Sequence, residues 1–217
     1  MLAGCNGAGK SSIGGAALRA CGATYFNPDE AAKAILVANA GRAAPLTQEQ
    51  TNGAAWSEGR RLLERAIRER LDFAFETTLG GSTITELLLH AARAQHPVHV
   101  WFAGLATVEL HLERVRQRVA HGGHDIPEAK VRERYARARQ NLIRLLPWLA
   151  SARIYDNSAE ADPSTGAPPN PVLLVAMARG RIVHPSKLRS LLDRTPNWAK
   201  PIATAALRLH MQNRPRG

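Results

Sequence analysis

Hydrophobic and polar residues along the chain follow two alternating periods. Short apolar runs, typical of buried strands, are separated by longer segments in which apolar residues recur every three or four positions, as in amphipathic helices. The predicted strands lie at residues 1–3, 23–26, 73–76, 97–102 and 152–155. The predicted helices lie at residues 10–20, 28–38, 47–70, 82–94, 107–120 and 127–146. Strands that alternate with helices imply right-handed crossovers, so we predict an α/β fold in which helices cover both faces of a parallel sheet.

Local capping signals mark where several of these helices begin. Pro28 stands where the first turn of a helix tolerates a proline. Thr47 and Gln50 have the spacing of a capping box. We also predict that Ser82 caps the helix that follows the third strand.

The last quarter of the chain has a different pattern, without a further strand–helix alternation of the same kind. The predicted segments are a Pro/Gly/Ser-rich loop at 161–171, two strands at 172–178 and 181–184 that flank a turn at Arg179-Gly180, and an amphipathic helix at 196–212. We therefore divide the chain into a core at residues 1–160 and an appended loop, hairpin and C-terminal helix at residues 161–217.

The charge of the chain is strongly positive. Its 217 residues, enough for one domain of ordinary size, contain 29 Lys and Arg against 18 Asp and Glu, a formal net charge of +11. A basic surface attracts polyanions, and these include nucleic acids, nucleotides and phosphorylated metabolites alike. Charge alone therefore does not separate a nucleic-acid-binding protein from an enzyme that uses ATP.

Cysteine usage and hydropathy predict the compartment. Cys5 and Cys21 are the only cysteines, and Cys5 lies inside a glycine-rich segment that is a poor place for a crosslink. The longest strongly apolar run, residues 172–178, is too short to span a bilayer. No basic-then-apolar leader precedes the glycine-rich segment. We therefore expect a cytoplasmic protein without a membrane partner.

The glycine-rich segment is the strongest chemical signal in the chain. It reads Gly4-Cys5-Asn6-Gly7-Ala8-Gly9-Lys10-Ser11 and matches the phosphate-loop pattern G-x-x-x-x-G-K-[ST]. Such a loop curls so that its N–H groups and the following helix dipole bind phosphate oxygens. Lys10 is predicted to reach the β- and γ-phosphates of ATP, and the Ser11 hydroxyl to bind Mg²⁺. The predicted nucleotide-binding residues are Gly4, Asn6, Gly7, Ala8, Gly9, Lys10, Ser11 and Ser12. The alternative, a glycine-rich strand-to-helix turn, requires neither the lysine nor the serine.

Carboxylates follow the second and third predicted strands. Loops at the carboxyl ends of parallel strands face the ligand crevice, so Asp29 could accept a proton from a substrate hydroxyl. The alternative is that Asp29 is an ordinary helix N-terminal residue stabilised by the macrodipole. Glu76 and Thr78 could likewise hold a substrate hydroxyl, or could form a helix-capping turn with a solvated carboxylate.

Arginines are concentrated in residues 114–141, in two predicted helices around Gly122-Gly123. Two basic helices around such a joint describe a lid that closes over phosphates, with arginines of these helices neutralising the charge that develops on the transferred phosphoryl group. The alternative for any single arginine is a solvated basic face.

Two other polar groups stand out. His121 and His124 lack cysteines or clustered carboxylates at ligand spacing, so we predict no zinc site there. Asp156-Asn157-Ser158 could border the nucleotide base or form a turn, and we favour a turn with a minor contact.

In combination, these segments resemble the zeta-toxin family of P-loop kinases, in particular its short bacterial zeta-like branch. The matching segments, in order from residue 3 to 158, are Ala3 to Ser12, Phe26-Asn27-Pro28-Asp29-Glu30, Phe75-Glu76-Thr77-Thr78-Leu79, Arg114-Val115 to Arg118-Val119, Gly122-Gly123-His124, Ile126-Pro127, Arg134-Tyr135, Asn141-Leu142 and Tyr155-Asp156-Asn157-Ser158. The chain departs from the family in its first strand, which is nearly absent, and the substrate pocket of the zeta-like branch differs from that of the longer toxins.

The resemblance implies a P-loop NTPase/kinase fold with a basic helical lid, and an enzyme that phosphorylates the 3′-hydroxyl of UDP-N-acetylglucosamine with ATP. It implies that Asp29 is the general base and that Glu76 and Thr78 hold the substrate sugar. Arg118, with one of Arg132 and Arg134, would clamp the phosphates and the substrate. An antitoxin protein is a further partner of such toxins, and some relatives phosphorylate other targets, including the adenosine ribose of NAD.

Three alternatives remain at this point. The first is a kinase for another metabolite such as NAD. The second is a basic nucleic-acid-binding P-loop NTPase, but the sequence has no recognisable DNA-reading helix pair, aromatic-interleaved basic strand or Walker-B strand ending in Asp. The third is a regulatory nucleotide-binding module without turnover, for which Asp29→Asn would leave every activity unchanged.

Overall fold

The structure of the protein, a computed structural model, describes residues 1–15, 25–41, 44–123, 125–159 and 170–213, without the side chains of Ser11 and Ser12. Seven strands form one sheet in the order β2-β3-β1-β4-β5-β6-β7. The strands are β1 (Leu2–Ala3), β2 (Tyr25–Phe26), β3 (Ala74–Thr77), β4 (His99–Gly104), β5 (Ser151–Asp156), β6 (Val172–Ala178) and β7 (Arg181–His184).

The first five strands are parallel to one another, β6 pairs antiparallel with β5, and β7 pairs antiparallel with β6. Strand β1 lies between β3 and β4, with Leu2 opposite Glu76 on one side and Trp101 on the other. The carboxyl ends of β1 to β5 therefore meet at one edge of the sheet, where the phosphate loop (residues 4–11) begins. The predicted parallel sheet is confirmed, and the predicted hairpin of β6 and β7 extends it by antiparallel pairing with β5.

The helices lie mostly where the periodicity predicts them. They are α1 (Pro28–Asn39), α2 (Gln48–Glu69), α3 (Ser82–Arg93), α4 (Val108–Ala120), α5 (Glu128–Leu145), α6 (Leu191–Arg194) and α7 (Lys200–Gln212), with short 3₁₀ turns at Leu146–Trp148 and Leu188–Ser190. Among the described residues, no helix combines the length and the apolar character needed to cross a bilayer. The short α6 and both 3₁₀ turns have no counterpart in the prediction, because three or four residues are too few to show a helical period.

Two helix starts differ from the prediction. The segment predicted as a helix at 10–20 begins as a π-helical turn at Ser11–Gly15, where a Cβ on Gly14 would lie 2.6 Å from the Trp101 ring. The remainder of that helix, and residues 23–24 of the predicted second strand, lie outside the described residues. Ser82 is not a cap: it is the first residue of α3, and Gly81 occupies the cap position without a side-chain hydrogen bond.

Local hydrogen bonds explain the starts that were predicted correctly. Thr47 and Gln50 form both hydrogen bonds of the capping box, at 2.8 and 3.2 Å. The Asn27 side chain accepts from the N–H groups of Asp29 and Glu30 and so caps α1. These bonds satisfy helix N–H groups that have no partner within the helix, so the cap residues fix the helix boundaries.

The central core lies against one face of β4 and β5, where Phe102 and Ile154 are opposite each other. Phe102 and Ile154 are almost fully buried, and they share one cluster with Leu142 of α5 and with Trp198 and Ile202 near the C-terminus. The C-terminal residues therefore complete the same core as the strands of the parallel sheet. The boundary predicted between residues 160 and 161 falls among residues 160–169, which lie outside the described parts of the chain.

A second, smaller apolar cluster joins the basic helices to the phosphate loop. Its members are Cys5, Leu112, Val115, Ile126 and Val131. Cys5 is buried in the loop and its Sγ lies 3.5 Å from the Val131 carbonyl oxygen, and this burial raises the pKa of the thiol. Helices α4 and α5, which contain the residues of the predicted lid, thus pack directly on the phosphate loop.

Candidate active site

The phosphate loop has a backbone that requires glycine at three positions. Gly4, Gly7 and Gly9 have φ angles of 143°, 78° and 75°, values that residues with a Cβ rarely adopt. A Cβ on Gly4 would lie 2.3 Å from the Ala103 carbonyl oxygen, and one on Gly9 would lie 2.3 Å from Asn157 Nδ2. The curled backbone presents the row of N–H groups that suits an anion such as a phosphate chain.

Two buried side chains hold the outside of this loop. The Nδ1–H of His111 on α4 donates to the Asn6 carbonyl oxygen at 2.7 Å, and Nδ2 of Asn157 donates to the Ala8 carbonyl oxygen at 3.0 Å. Both rank among the most buried polar residues, His111 at 1% exposure and Asn157 at 7%. Because a carbonyl oxygen only accepts, Nδ1 must carry the hydrogen of the His111 ring.

Sequence reasoning missed His111 and treated Asn157 as a turn residue with a minor contact. The available signal for His111 was its spacing: it lies on the apolar face of α4, with Val108 and Val115 one turn away on either side. A polar ring on such a face requires a buried partner, but only the folded loop shows which one.

Burial of the His111 ring leads us to expect a loss of stability in acid. Burial is the main cause that lowers the pKa of His111 from 6.5 to about 4, against the opposing effect of the hydrogen bond to Asn6. The positive charges of Lys10, Arg114 and Arg139 lower it further. Between these two pH values the unfolded chain binds more protons than the folded one, so stability falls as pH falls and the loss reaches about 3 kcal/mol near pH 4.

The His111→Asn variant tests this expectation, because asparagine keeps a donor near the position of Nδ1 but does not titrate. Melting temperatures measured from about pH 7 to about pH 4.5 should fall less in the variant than in the wild type. Equal falls in the two proteins would show that His111 does not set the acid sensitivity.

Three cationic side chains contact oxygen atoms of the site. Lys10 Nζ is 3.2 Å from the Gly4 carbonyl oxygen, and Arg134 Nη1 of α5 is 2.9 Å from Asn6 Oδ1. Arg118 Nη1 of α4 is 3.3 Å from Asp29 Oδ2. The structure therefore brings Lys10, Arg134 and Asn6 together at the loop, and places Arg118 beside Asp29 at the start of α1.

The Arg118–Asp29 pair is partly exposed, with side-chain exposures of 35% and 54%. Ion pairs at this exposure stabilise a protein by at most about 1 kcal/mol, because water screens both charges. An exchange of Arg118 from the carboxylate to a phosphate oxygen therefore sacrifices little stability.

Arg132 is held elsewhere. Its Nε lies 2.7 Å from Glu128 and its Nη1 lies 3.1 Å from Glu109, and all three residues are exposed. Two positions along a helix turn the side chain by about 200°, so the face that directs Arg134 to the loop directs Arg132 away from it. Between the two arginines left open by the sequence, the geometry favours Arg134 as the phosphate ligand, and the substrate-binding role of Arg132 has no supporting contact among the described residues.

The end of β3 supplies a buried carboxylate. Glu76 is 7% exposed and accepts a hydrogen bond from the hydroxyl of Tyr25, the first residue of β2. Thr78 Oγ1 accepts the Gly80 N–H at 3.4 Å, and Asn141 Nδ2 donates to the Leu79 carbonyl oxygen at 2.8 Å. This segment is thus tied to α5, and Glu76 and Thr78 lie at the same sheet edge as the phosphate loop.

The arrangement can bind a phosphate chain in the loop, place cations around it and hold a carboxylate near the bound group. The backbone of Ser11 continues from the loop into the π-helical turn, where a hydroxyl ligand for a Mg²⁺ ion is expected. The Ser11 and Ser12 side chains lie outside the described residues, so their assignment remains a prediction.

Solved structures share this fold. One is a chain of the AvrRxo1-ORF1:AvrRxo1-ORF2 complex with ATP, 18% identical, with a TM-score of 0.62 over 97% of this chain and 74% of that chain. Another comes from the PezAT chromosomal toxin–antitoxin system of Streptococcus pneumoniae, 14% identical, with a TM-score of 0.52 over 99% of this chain and 79% of that chain. At these identities the likeness concerns the fold alone.

Sequence comparison gives the family. An uncharacterized protein of Haemophilus influenzae is 31% identical over 135 residues, which are 61% of this chain and 88% of the relative. The AAA domain family matches residues 1–141, from β1 through the phosphate loop to the arginines of α5. The chain therefore belongs to the AAA domain family and has a P-loop kinase-like fold.

Proposed function

We propose that the protein is an ATP-dependent kinase that transfers the γ-phosphate of ATP to a sugar hydroxyl of a nucleotide-sugar. One observation supports it most: Asp29 and Arg118 form an ion pair at the sheet edge that also carries the phosphate loop. A carboxylate that serves as base and a cation that binds phosphoryl oxygens are the two groups that this transfer requires beyond the loop itself.

The chain's own residues divide the chemistry as follows. The N–H groups of the phosphate loop and Lys10 bind the phosphate chain. The acceptor oxygen forms a bond to the γ-phosphorus, its proton passes to the Asp29 carboxylate, and the bond to the bridging oxygen of ADP breaks. Arg118 and Arg134 move from their protein oxygens to those of the transferred group and neutralise its charge. Mg²⁺, bound through Ser11, would supply further charge neutralisation at the phosphates.

The nucleotide-sugar acceptor is the more detailed part of the proposal. It rests on the zeta-toxin resemblance of residues 3–158 and on the buried Glu76 beside Thr78, which can accept hydrogen bonds from sugar hydroxyls. The candidate is UDP-N-acetylglucosamine. Mass spectrometry of the purified protein with ATP–Mg²⁺ should show one added phosphate on this compound. Phosphorylation of NAD alone would transfer the assignment to a nucleotide ribose, and no product with either compound would exclude both as the acceptor.

An antitoxin protein belongs to the proposal for a related reason. Two structural neighbours come from the AvrRxo1-ORF1:AvrRxo1-ORF2 complex and from a toxin–antitoxin system. If the activity is toxic, induced expression of the wild type alone should stop growth of a bacterial host, whereas Lys10→Ala should not. Unchanged growth with an active enzyme would argue against a toxin role.

Arg118→Ala tests the role given to Arg118. We expect kcat to fall by roughly 10²-fold while the Kd for ATP changes by less than about 3-fold, because the arginine acts on charge that develops during transfer. Arg116→Ala is the matched control. Arg116 lies on the same helix as Arg118, is exposed and pairs with Glu113 at 3.0 Å. A loss of ATP affinity that accounts for the whole loss of activity would contradict the assigned role.

A further inference from the structure

The outer hydrogen bonds of the phosphate loop control the direction of its inner N–H groups. A trans peptide is planar, and the C=O of one residue points opposite to the N–H of the next. The bond from His111 to the Asn6 carbonyl therefore directs the Gly7 N–H inward, and the bond from Asn157 to the Ala8 carbonyl directs the Gly9 N–H inward. Gly7 and Gly9 both have positive φ, and because glycine has no Cβ, no side chain restricts the backbone at either position.

The His111 ring is itself held in place. Tyr135 meets it edge to face with ring centroids 5.3 Å apart, and the Tyr135 hydroxyl donates to the Ala106 carbonyl at 3.2 Å. Arg139 stacks over the Tyr135 ring at 4.1 Å and donates to the Trp198 carbonyl at 3.3 Å. A continuous series of contacts thus joins the C-terminal segment to the phosphate loop.

The position of Asn157 is fixed by its hydrogen bond to the sheet. Its backbone N–H donates to the Gly104 carbonyl at 3.0 Å, which continues the pairing of β5 with β4. Next to it, the Ser158 hydroxyl accepts the Ala106 N–H at 2.7 Å. The two supports of the loop therefore come from different elements, one from α4 and one from the end of β5. Both are tied to Ala106, His111 through Tyr135 and Asn157 through the adjoining Ser158.

We infer that His111 and Asn157 are positioning residues that preorganise the phosphate loop for its anionic ligand, and that the C-terminal segment contributes through Trp198, Arg139 and Tyr135. The inference rests on the proposed function only in taking ATP as the ligand. Without either donor, the adjoining peptide can rotate, and the loop presents its N–H groups inward for only a fraction of the time. The apparent affinity for the ligand falls in proportion to the fraction of time spent in this conformation.

The test compares variants that remove the donor with one that restores it. His111→Leu removes the donor at similar size, His111→Asn restores one near Nδ1, and Asn157→Asp places an acceptor against the Ala8 carbonyl. His90→Leu is the matched control, on an exposed histidine of α3. For each variant the Kd for ATP–Mg²⁺ is measured by titration calorimetry, and the amide shifts of Gly7 and Gly9 by NMR.

We expect His111→Leu and Asn157→Asp to bind ATP–Mg²⁺ roughly 10-fold to 100-fold more weakly than the wild type, and His111→Asn to stay within about 3-fold. The Gly7 amide should lose its ATP-induced shift in His111→Leu, and the Gly9 amide in Asn157→Asp. If the two residues only stabilised the fold, the substitutions would lower the melting temperature, but loss of the Gly7 shift would not be confined to His111→Leu or loss of the Gly9 shift to Asn157→Asp. If His111→Leu does not fold, Asn157→Asp carries the same test.

Wild-type affinity and shifts in the folded donor-removing variants would overturn the inference. This outcome is separate from the fate of the kinase proposal. If the wild type binds ATP–Mg²⁺ but transfers no phosphate, the kinase proposal fails, while the variant affinities still decide the positioning roles. If the wild type does not bind ATP–Mg²⁺, both are overturned.

Discussion

Replacing Asp29 with asparagine is expected to reduce the rate of phosphoryl transfer by roughly 10²-fold to 10⁴-fold, the range for loss of a general base. Asparagine has nearly the same size and cannot take the proton of the acceptor hydroxyl. The Asn27 cap bonds to the backbone N–H of residue 29, so the substitution leaves the start of α1 in place. The Kd for ATP should remain within about 3-fold of the wild-type value, because the carboxylate is assigned to the acceptor and not to the nucleotide.

Glu30→Gln is the control for this variant. Glu30 is the next residue of the same first turn, so its neutralisation removes the same favourable interaction with the helix dipole without touching the proposed base. Steady-state kinetics of both variants should show a large loss for Asp29→Asn only. Equal transfer rates in the two variants would contradict the assignment of Asp29 as the general base.

Replacing Lys10 with alanine is expected to lower kcat by roughly 10²-fold to 10³-fold, the loss found when one charge-stabilising donor is removed from a transition state. ATP affinity should fall as well, because Lys10 binds the phosphates in the ground state too. Lys10 already lies on the loop, with Nζ 3.2 Å from the Gly4 carbonyl oxygen, so a short movement brings it to a bound phosphate chain.

The matched control is Lys33→Ala, on an exposed lysine of α1. It removes one positive charge from the same basic protein and should leave transfer unchanged, which separates the local effect from the general attraction of polyanions. If Lys10→Ala retained full transfer activity, the glycine-rich turn would not be the nucleotide site.

Much of the fold could be predicted because its signals are local. The capping box at Thr47 and Gln50 and the turn at Arg179-Gly180 depend on residues within four positions of each other, and both appear in the structure. Arg179 and Gly180 have φ angles of 48° and 73°, as a two-residue hairpin turn requires. The predicted cap of α3 was wrong because serine and glycine both occur at N-cap positions. The path of the backbone, and not the residue type, placed Gly81 at the cap and Ser82 inside the helix.

The candidate site could be predicted only where the motif itself states the chemistry. The phosphate loop is written in consecutive residues, whereas the choice between Arg132 and Arg134 depends on which face of α5 meets the loop. That face is set by the packing of Val131 on Cys5, residues far apart in sequence. His111 was missed for a similar reason, since its partner is a backbone carbonyl 105 positions away. The role of the C-terminal segment follows from Trp198, which packs in the central core.

The measurement that tests the central claim most directly follows the γ-phosphate itself. ATP labelled in the γ-phosphate is incubated with Mg²⁺, a pool of nucleotide-sugars and either the wild type, Lys10→Ala or Asp29→Asn, and the labelled products are separated. The account predicts that the wild type moves the label into a new phosphomonoester and that both variants form far less of it. Release of the label as inorganic phosphate only, at a rate that Asp29→Asn does not change, would contradict it.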